Sequence, residues 1–115
     1  MGTNYELLKR SFVAGGDIPA KRFVKVDGTL AGAGEAAIGV AEYAAQSGDD
    51  LSVIMSGVVS VEAGGTVNAG DKIASDENGK AVVASTGNTV VGIALESGGA
   101  GQEIEILLVP PIVVA

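Results

Sequence analysis

The amino-acid sequence contains neither cysteine nor histidine. Without cysteine the chain can form no disulfide framework and no thiolate site, which fits synthesis in a reducing compartment. Without histidine it lacks the commonest general base and the commonest metal ligand. No serine has a histidine to activate it, and no Gly-x-Ser-x-Gly elbow is present. We predict a protein that is not an enzyme and that has no catalytic, cofactor-binding or metal-binding residues.

Aromatic residues are also scarce, and the four present are Tyr5, Phe12, Phe23 and Tyr43. Glycine is abundant instead: it accounts for 18 of the 115 residues, about twice the usual share of roughly 7%. The hydrophobic fraction of 47% is enough for one core in a chain of this length. The composition predicts a single turn-rich domain built from small apolar residues.

Basic residues are few and lie near the N-terminus. Residues 1–25 carry a net charge of +3, while residues 26–115 carry −10. The acidic part of the chain repels nucleic acid phosphates and anionic lipids. We therefore predict no nucleic acid partner and no membrane partner.

Neither end of the sequence has a pattern typical of targeting or of membrane insertion. Glu6, Lys9 and Arg10 precede any apolar run, unlike the order found in a signal peptide. The C-terminal stretch "ILLVPPIVVA" is shorter than the about 20 residues of a spanning helix, and Pro110 and Pro111 interrupt it. We expect a protein that is neither secreted with a cleaved signal nor inserted into a membrane.

An internal repeat occupies much of the chain. The stretch "IGVAEYAAQSGDDLSVIM", from Ile38 to Met55, returns as "VGIALESGGAGQEIEILL", from Val91 to Leu108, at an offset of 53 positions. The alanines of the first copy favour a helix as much as a strand, but the second copy is β-branched and alternates cleanly in "EIEILLV". Each copy therefore predicts a hairpin of strand, glycine-bearing loop and strand. Two such hairpins packed together can close into a small barrel or sandwich.

A second shared unit precedes each hairpin, as "IPAKRFVKVDGTL" and as "VNAGDKIASDENGKAV". The sequence thus predicts an all-β fold, a small glycine-rich β-barrel or β-tulip made of two similar halves, residues 17–61 and 62–109, joined by "GVVSVEAGGTV". Residues 1–16 show neither alternation nor a capped helix, and we interpret them as an extended N-terminal arm. Residues 110–115 are predicted to form an extended C-terminal tail.

Two short motifs resemble known binding loops without fitting them. "GAGEAA" has the spacing of a dinucleotide loop, but the repeat predicts that a strand follows it rather than a helix. "SDENGK" resembles part of a calcium loop, yet Ala74 and Ser85 would occupy the first and last ligand positions. Both are better explained as loops or hairpin turns.

Two alternative functions remain open from the residues. "VNAGDKIASDENGKAVV" resembles the hairpin of a biotinyl or lipoyl carrier domain, in which Lys80 would be the modified residue, although Gly79 stands where carriers place an acid or a methionine. A plain β-barrel binding module, such as a fragment of a surface adhesin, is the other alternative.

Three segments together carry a family resemblance: "AAIGVAEYAAQSGDDLSVIMSGVVSV", "VNAGDKIASDENGKAV" and "VVGIALESGGAGQEIEILL". In order and spacing they resemble the capsid cement, or head decoration, proteins of tailed bacteriophages, over about residues 17–109. The resemblance implies a structural protein of the virion, made in the host cytoplasm, that sits on the outer capsid surface after the shell expands. It also implies binding to the major capsid protein, commonly as a homotrimer, and stabilisation of the head against internal DNA pressure.

Residues 1–25, which are basic and partly apolar, are the predicted contact with the shell, and the strand-like "VPPIVVA" is a second predicted contact, with the shell or with a sister subunit. An arm that becomes ordered on docking extends such a contact. The predicted contact residues are Tyr5, Leu7, Leu8, Lys9, Arg10, Phe12, Lys21, Arg22, Ile112 and Val113.

Overall fold

The computed structural model describes residues 8–114, and the side chains of residues 110–113 are outside the description. These residues form nine strands and no helix, so the all-β prediction is confirmed. The first four strands are β1 (Leu8–Val13), β2 (Phe23–Val24), β3 (Gly39–Ala41) and β4 (Asp50–Ser56). The other five are β5 (Val58–Glu62), β6 (Lys72–Ser75), β7 (Ala81–Val83), β8 (Thr89–Ala94) and β9 (Glu103–Val113). Within this described range no helix is long and apolar enough to cross a membrane.

The strands form two antiparallel sheets, with the orders β1-β4-β3-β2 and β5-β9-β8-β6-β7. Gly57, with a φ of 99°, separates them, because it ends β4 and directs the chain into β5 of the other sheet. Of the arrangements that the sequence predicted, the described residues therefore do not form a closed barrel. In the described residues no strand ladder joins one sheet to the other, and each sheet keeps two edges.

The repeat predicted from the sequence is present in the strand pairing and extends further than the sequence indicated. β3 and β4 correspond to β8 and β9, and β1 takes the place in the first sheet that β5 takes in the second. Phe12 pairs with Leu51, and Val61 pairs with Ile104, which lies 53 positions after Leu51. Each half thus forms one sheet with the same order of equivalent strands, and the second sheet has β7 in addition.

The turns of the two halves are also equivalent, and one of their hydrogen bonds recurs at the same place. The amide of Gly32 donates to Glu35 Oε1 at 2.6 Å, and at the same place in the second half the amide of Ser85 donates to Asn88 Oδ1 at 2.8 Å. Both bonds close a turn in which the side chain three residues on accepts from the backbone. The second copy keeps the geometry with a different acceptor.

Three segments differ from their sequence interpretation. Within residues 1–16, interpreted as an arm, residues 8–13 are strand β1, and residues 1–7 lie outside the described part of the chain. The stretch "GVVSVEAGGTV", interpreted as the join between the halves, contains β5, so the predicted boundary after residue 61 falls inside a strand. Residues 110–113 of the predicted tail continue β9.

The two prolines of β9 lie in a bulge. Gly92 pairs with Leu108 and Val90 with Ile112, so β9 has two more residues than β8 between these pairs. β5 pairs with β9 only as far as Leu107, which leaves Pro110 and Pro111 beside one strand instead of two. Proline has no amide hydrogen to donate, and it is tolerated at bulges for this reason.

The apolar residues form two cores. An inter-sheet core lies between the two sheets, and a first-half core lies on the opposite face of the first sheet. The inter-sheet core contains Phe23, Ala31, Ala37, Val40, Ile54, Val59, Val61, Ala63, Val67, Ile73, Ala81, Val91, Ala94, Ile104 and Ile106. The first-half core contains Ala14, Ile18, Val24, Ala41, Leu51 and Val53. The first sheet therefore has buried apolar residues on both faces, although Phe12 and Ile38 are only partly buried.

Candidate contact surface

Strand β1 forms one edge of the first sheet, and its side chains are exposed except for Phe12, which is half-buried. An edge strand presents unpaired backbone amides and carbonyls along its free side. Arg10 lies opposite Val53 of β4, so it shares the face of the first-half core. Its guanidinium stacks over the ring of Phe12, 5.0 Å from the centroid. β1 thus combines an open edge with a basic, aromatic face.

Lys9 points to the other face of β1 and is held by Glu42. Its Nζ lies 2.8 Å from Glu42 Oε2, while the hydroxyl of Ser52 donates to Glu42 Oε1 at 2.9 Å. The hydrogen bond from Lys9, followed by that from Ser52, lowers the pKa of Glu42, and the same Lys9–Glu42 bond raises the pKa of Lys9. Lys9 is therefore fixed in place on the sheet, although it remains exposed.

Lys21 lies where the two halves meet. Its amide donates to the carbonyl of Ala41 at 2.8 Å, and its own carbonyl accepts from the amide of Glu62 in β5 at 3.0 Å. This geometry requires a φ of 64° at Lys21. The backbone of Lys21 thus connects the first sheet to the second, and its side chain is half-buried.

Arg22 is used inside the molecule. Its Nε and Nη2 lie 3.3 Å and 3.2 Å from Glu62 Oε1, and its Nη1 donates to the carbonyl of Asn78 at 3.1 Å. Lys80 completes the group, with its Nζ 3.3 Å from Glu62 Oε2. Sequence reasoning assigned Arg22 to an external contact and missed Glu62, which no local pattern distinguishes from the other acids.

Two cations determine the protonation of Glu62. Burial acts to raise the pKa of Glu62, but the hydrogen bonds from Lys80 and Arg22 and their positive charges outweigh it. The net effect is a pKa below the usual value, so Glu62 is charged at neutral pH. The group formed by Arg22, Glu62 and Lys80 is an ion-pair network between the two halves.

The hairpin that carries Lys80 does not project from the protein. The amide of Phe23 donates to the carbonyl of Gly79 at 2.8 Å, which docks the hairpin tip onto the first half. Asp76 Oδ1 closes the turn by accepting from the amides of Asn78 and Lys80 at 2.8 Å and 2.9 Å. Attachment of a carrier group to Lys80 would require its ammonium to leave Glu62. This geometry does not favour the carrier alternative.

The remaining predicted contact residues are spread over the chain. The backbones of Ile112 and Val113 pair with Val90 and Thr89 of β8, in the second sheet. Tyr5 and Leu7 lie outside the described residues. The structure thus brings Leu8, Lys9, Arg10 and Phe12 together on β1 and places Lys21 and Arg22 at the junction of the halves.

Two concave regions lie in the part of the chain that the structure describes. A cleft of about 280 Å³ between the sheets is lined mainly by apolar side chains, among them Phe23, Ile38, Met55, Val91 and Leu108. A shallower hollow of about 390 Å³ is bordered by Asp17 and Asp49 at the loops of the first half. In residues 8–114 no three acidic side chains converge as metal ligands would.

Comparisons with known proteins point to a phage structural role. The family model described as phage cement protein matches residues 4–109. No curated protein matches the chain. Among solved structures, the head fiber gp8.5 N base of bacteriophage phi29 superposes with a TM-score of 0.73 at 23% sequence identity, covering 90% of this chain and 95% of that one. The structural match shows a shared fold.

Proposed function

Because the chain belongs to the phage cement protein family, we propose that this capsid-associated structural protein binds the outer surface of the expanded phage head and stabilises it against the pressure of packaged DNA. Its partner in this proposal is the major capsid protein, and it stands on the shell as a homotrimer. It is made in the host cytoplasm and has no catalytic role.

The observation that carries the proposal is the position of β1. The described part of the chain begins with an exposed strand, β1, at the edge of the first sheet. In this proposal Tyr5 and Leu7, which precede β1 in the sequence, supply apolar side chains for the contact with the shell. The free edge of β1 adds backbone groups that an extended segment of the shell can pair with.

The other predicted contact residues take supporting positions. Leu8 and Lys9 flank the start of β1, next to the proposed contact. Ile112 and Val113, at the end of β9, are proposed to meet a sister subunit or the shell. Many modest contacts repeated over a closed shell give strong total binding, so no single contact has to be tight.

The test is to count the copies bound at saturation to expanded and to unexpanded head shells. We expect saturable binding to expanded shells in a multiple of three per local symmetry site. Deletion of residues 1–7 and the single change Tyr5→Ala should both weaken binding. Tyr43→Ala is the matched control, because Tyr43 is 67% exposed on the body of the first half.

Circular dichroism and a thermal melt establish that each variant keeps the fold. If the deletion variant binds expanded shells as well as the intact protein does, the N-terminal contact is refuted. If the intact protein binds neither form of the shell, the decoration role itself is refuted.

A further inference from the structure

A row of side chains across the first sheet is buried, while the same row across the second sheet is exposed at Leu107 and Lys72 and half-buried at Ile93. In the first sheet Ile54, Val40 and Phe23 are 5%, 0% and 0% exposed, because the second sheet covers them. The pairing of the strands identifies the equivalent residues of the second sheet as Leu107, Ile93 and Lys72. Leu107 is 41% exposed, and Leu95 beside this row is 47% exposed.

The opposite faces of the two sheets are equally buried at their centres, where Leu51 and Ile104 are 0% and 1% exposed, but they differ at two other pairs of equivalent residues. In the second sheet Val61 and Val91 are 0% and 2% exposed, because the first sheet packs over them. Their equivalents in the first sheet, Phe12 and Ile38, are only partly buried against the first-half core. Within one chain, therefore, the row around Leu107 and the side chains of Phe12 and Ile38 remain partly exposed, whereas their equivalents in the other half are buried between the sheets.

The two unused surfaces carry complementary charges. Glu103 and Glu105 of β9 alternate with the buried Ile104 and Ile106, so they lie on the outer face with Leu107 and are exposed. On the other side of the molecule Arg10 is exposed above Phe12 and forms no ion pair with the residues that the structure describes.

We propose that the outer face of the second sheet, centred on Leu107 and Ile93, binds the β1 face of a second copy of this chain, centred on Phe12 and Arg10. The contact repeats between molecules the packing that already joins the two halves within one molecule. It is head-to-tail, because the two surfaces are different and lie on opposite sides of the chain. A head-to-tail contact that closes forms a ring, and only the number of three copies rests on the homotrimer proposed above.

Cross-linking tests the pairing directly, since the chain has no cysteine of its own. Arg10→Cys and Glu105→Cys variants are purified separately, mixed, and treated with a short bis-maleimide linker, both free in solution and bound to expanded shells. The mixture should give a cross-linked dimer, and neither variant alone should give one. A protein carrying both changes should give covalent rings. Lys25→Cys mixed with Glu105→Cys is the control and should give no product.

Leu107→Glu in the Glu105→Cys background should reduce the yield of mixed dimer roughly tenfold or more, because it places a charge in an apolar contact. Leu107 is partly exposed, so this change should leave the thermal melt nearly unchanged. Efficient linking of Glu105→Cys to itself would show a symmetric contact and overturn the proposal. Absence of the mixed product in solution and on shells would overturn it as well.

This result is separable from the shell-binding test. If Leu107→Glu lowers shell binding while no mixed product forms, the outer face of the second sheet meets the shell instead of a second copy. If the mixed product forms but shell binding fails for the intact protein, self-association stands and the decoration role does not.

Discussion

Lys21 holds a backbone conformation that favours glycine, with a φ of 64°. The equivalent residue in the second half is Gly70, with a φ of 92°, and the amides of both residues donate to a strand carbonyl at 2.8 Å. A residue with a side chain is strained by about 1 kcal/mol in this conformation. The first half therefore keeps a side chain where the fold alone would select glycine.

We expect Lys21→Gly to raise the free energy of unfolding by about 0.5 kcal/mol, because relief of strain exceeds the entropy that glycine adds to the unfolded chain. Lys21→Val should lower it by about 1–2 kcal/mol, since a β-branched residue fits this region worst. Urea unfolding measures both. Lys72→Val, on an exposed strand position, controls for loss of the charge. A less stable Lys21→Gly variant would contradict the strain argument.

The Glu62 network predicts a dependence on pH. The pKa of Glu62 is lowered in the folded protein from its ordinary value of 4.5. Its contribution to stability is therefore complete above about pH 4.5 and is lost as the pH falls through the lower, folded-state pKa. Above pH 4.5, Glu62→Gln should lower the free energy of unfolding by about 1 kcal/mol. This difference from the unchanged protein should disappear towards acidic pH.

Chemical denaturation at a series of pH values measures this difference. Glu77→Gln is the matched control, because Glu77 is exposed and pairs with no cation among residues 8–114. A constant difference between the Glu62→Gln variant and the unchanged protein down to strongly acidic pH would rule out the ion-pair explanation.

The sequence could not identify this network. Arg22 and Glu62 are 40 positions apart, and neither lies in a motif. The basic character of residues 1–25 is visible in the sequence, but the use of Arg22 in an internal contact follows only from the way the two halves meet. Local patterns identify charged residues, whereas their partners depend on tertiary structure.

At the scale of elements, the repeated strands were predictable and β1 was not. "EIEILLV" alternates because one face of β9 is buried, and in its copy β4 the buried Leu51 and Val53 alternate with Ser52, although Ile54 is also buried on the other face. β1 has no such alternation, because almost all of its side chains are exposed at the edge of the sheet. An edge strand that buries neither face leaves little periodic signal in the sequence.

The close approach of β3 to β4 gives a prediction at this scale. A side chain at Gly39 would press on the carbonyl oxygen of Ile54 in β4, a backbone atom that cannot move aside without distorting the ladder. We expect Gly39→Ala to lower the free energy of unfolding by about 1–3 kcal/mol. Gly65→Ala is the control, because nothing lies within 4 Å of the added atom. Equal melting temperatures for the two variants would contradict this account.

At the scale of the whole molecule, the duplication predicted two similar halves but not how they join. Hairpin periodicity determines which strands pair within each half, and those pairs are the ones observed. Whether the sheets close into a barrel depends on the chain at Gly57 and on the edges β1 and β5, and neither carries a sequence signal for closure. The result is two sheets sharing one core.

The shared core makes the two halves one cooperative unit. Phe23 belongs to the first sheet, yet it is fully buried in the inter-sheet core among residues of the second. Phe23→Ala should lower the free energy of unfolding by about 3–5 kcal/mol. It should destabilise both sheets together, because each depends on the other to cover its apolar side. Tyr43→Ala removes an exposed aromatic ring and should have little effect.

Hydrogen exchange followed by mass spectrometry measures the two halves separately. In the Phe23→Ala variant, amides of β4 and of β9 should lose protection to the same extent, whereas independent halves would leave β9 protected. Such joint loss has a consequence for the particle. A subunit whose halves cannot separate transmits a force applied at β1 through the inter-sheet core to β9. The proposed role, stabilising the head against internal pressure, would depend on this mechanical continuity.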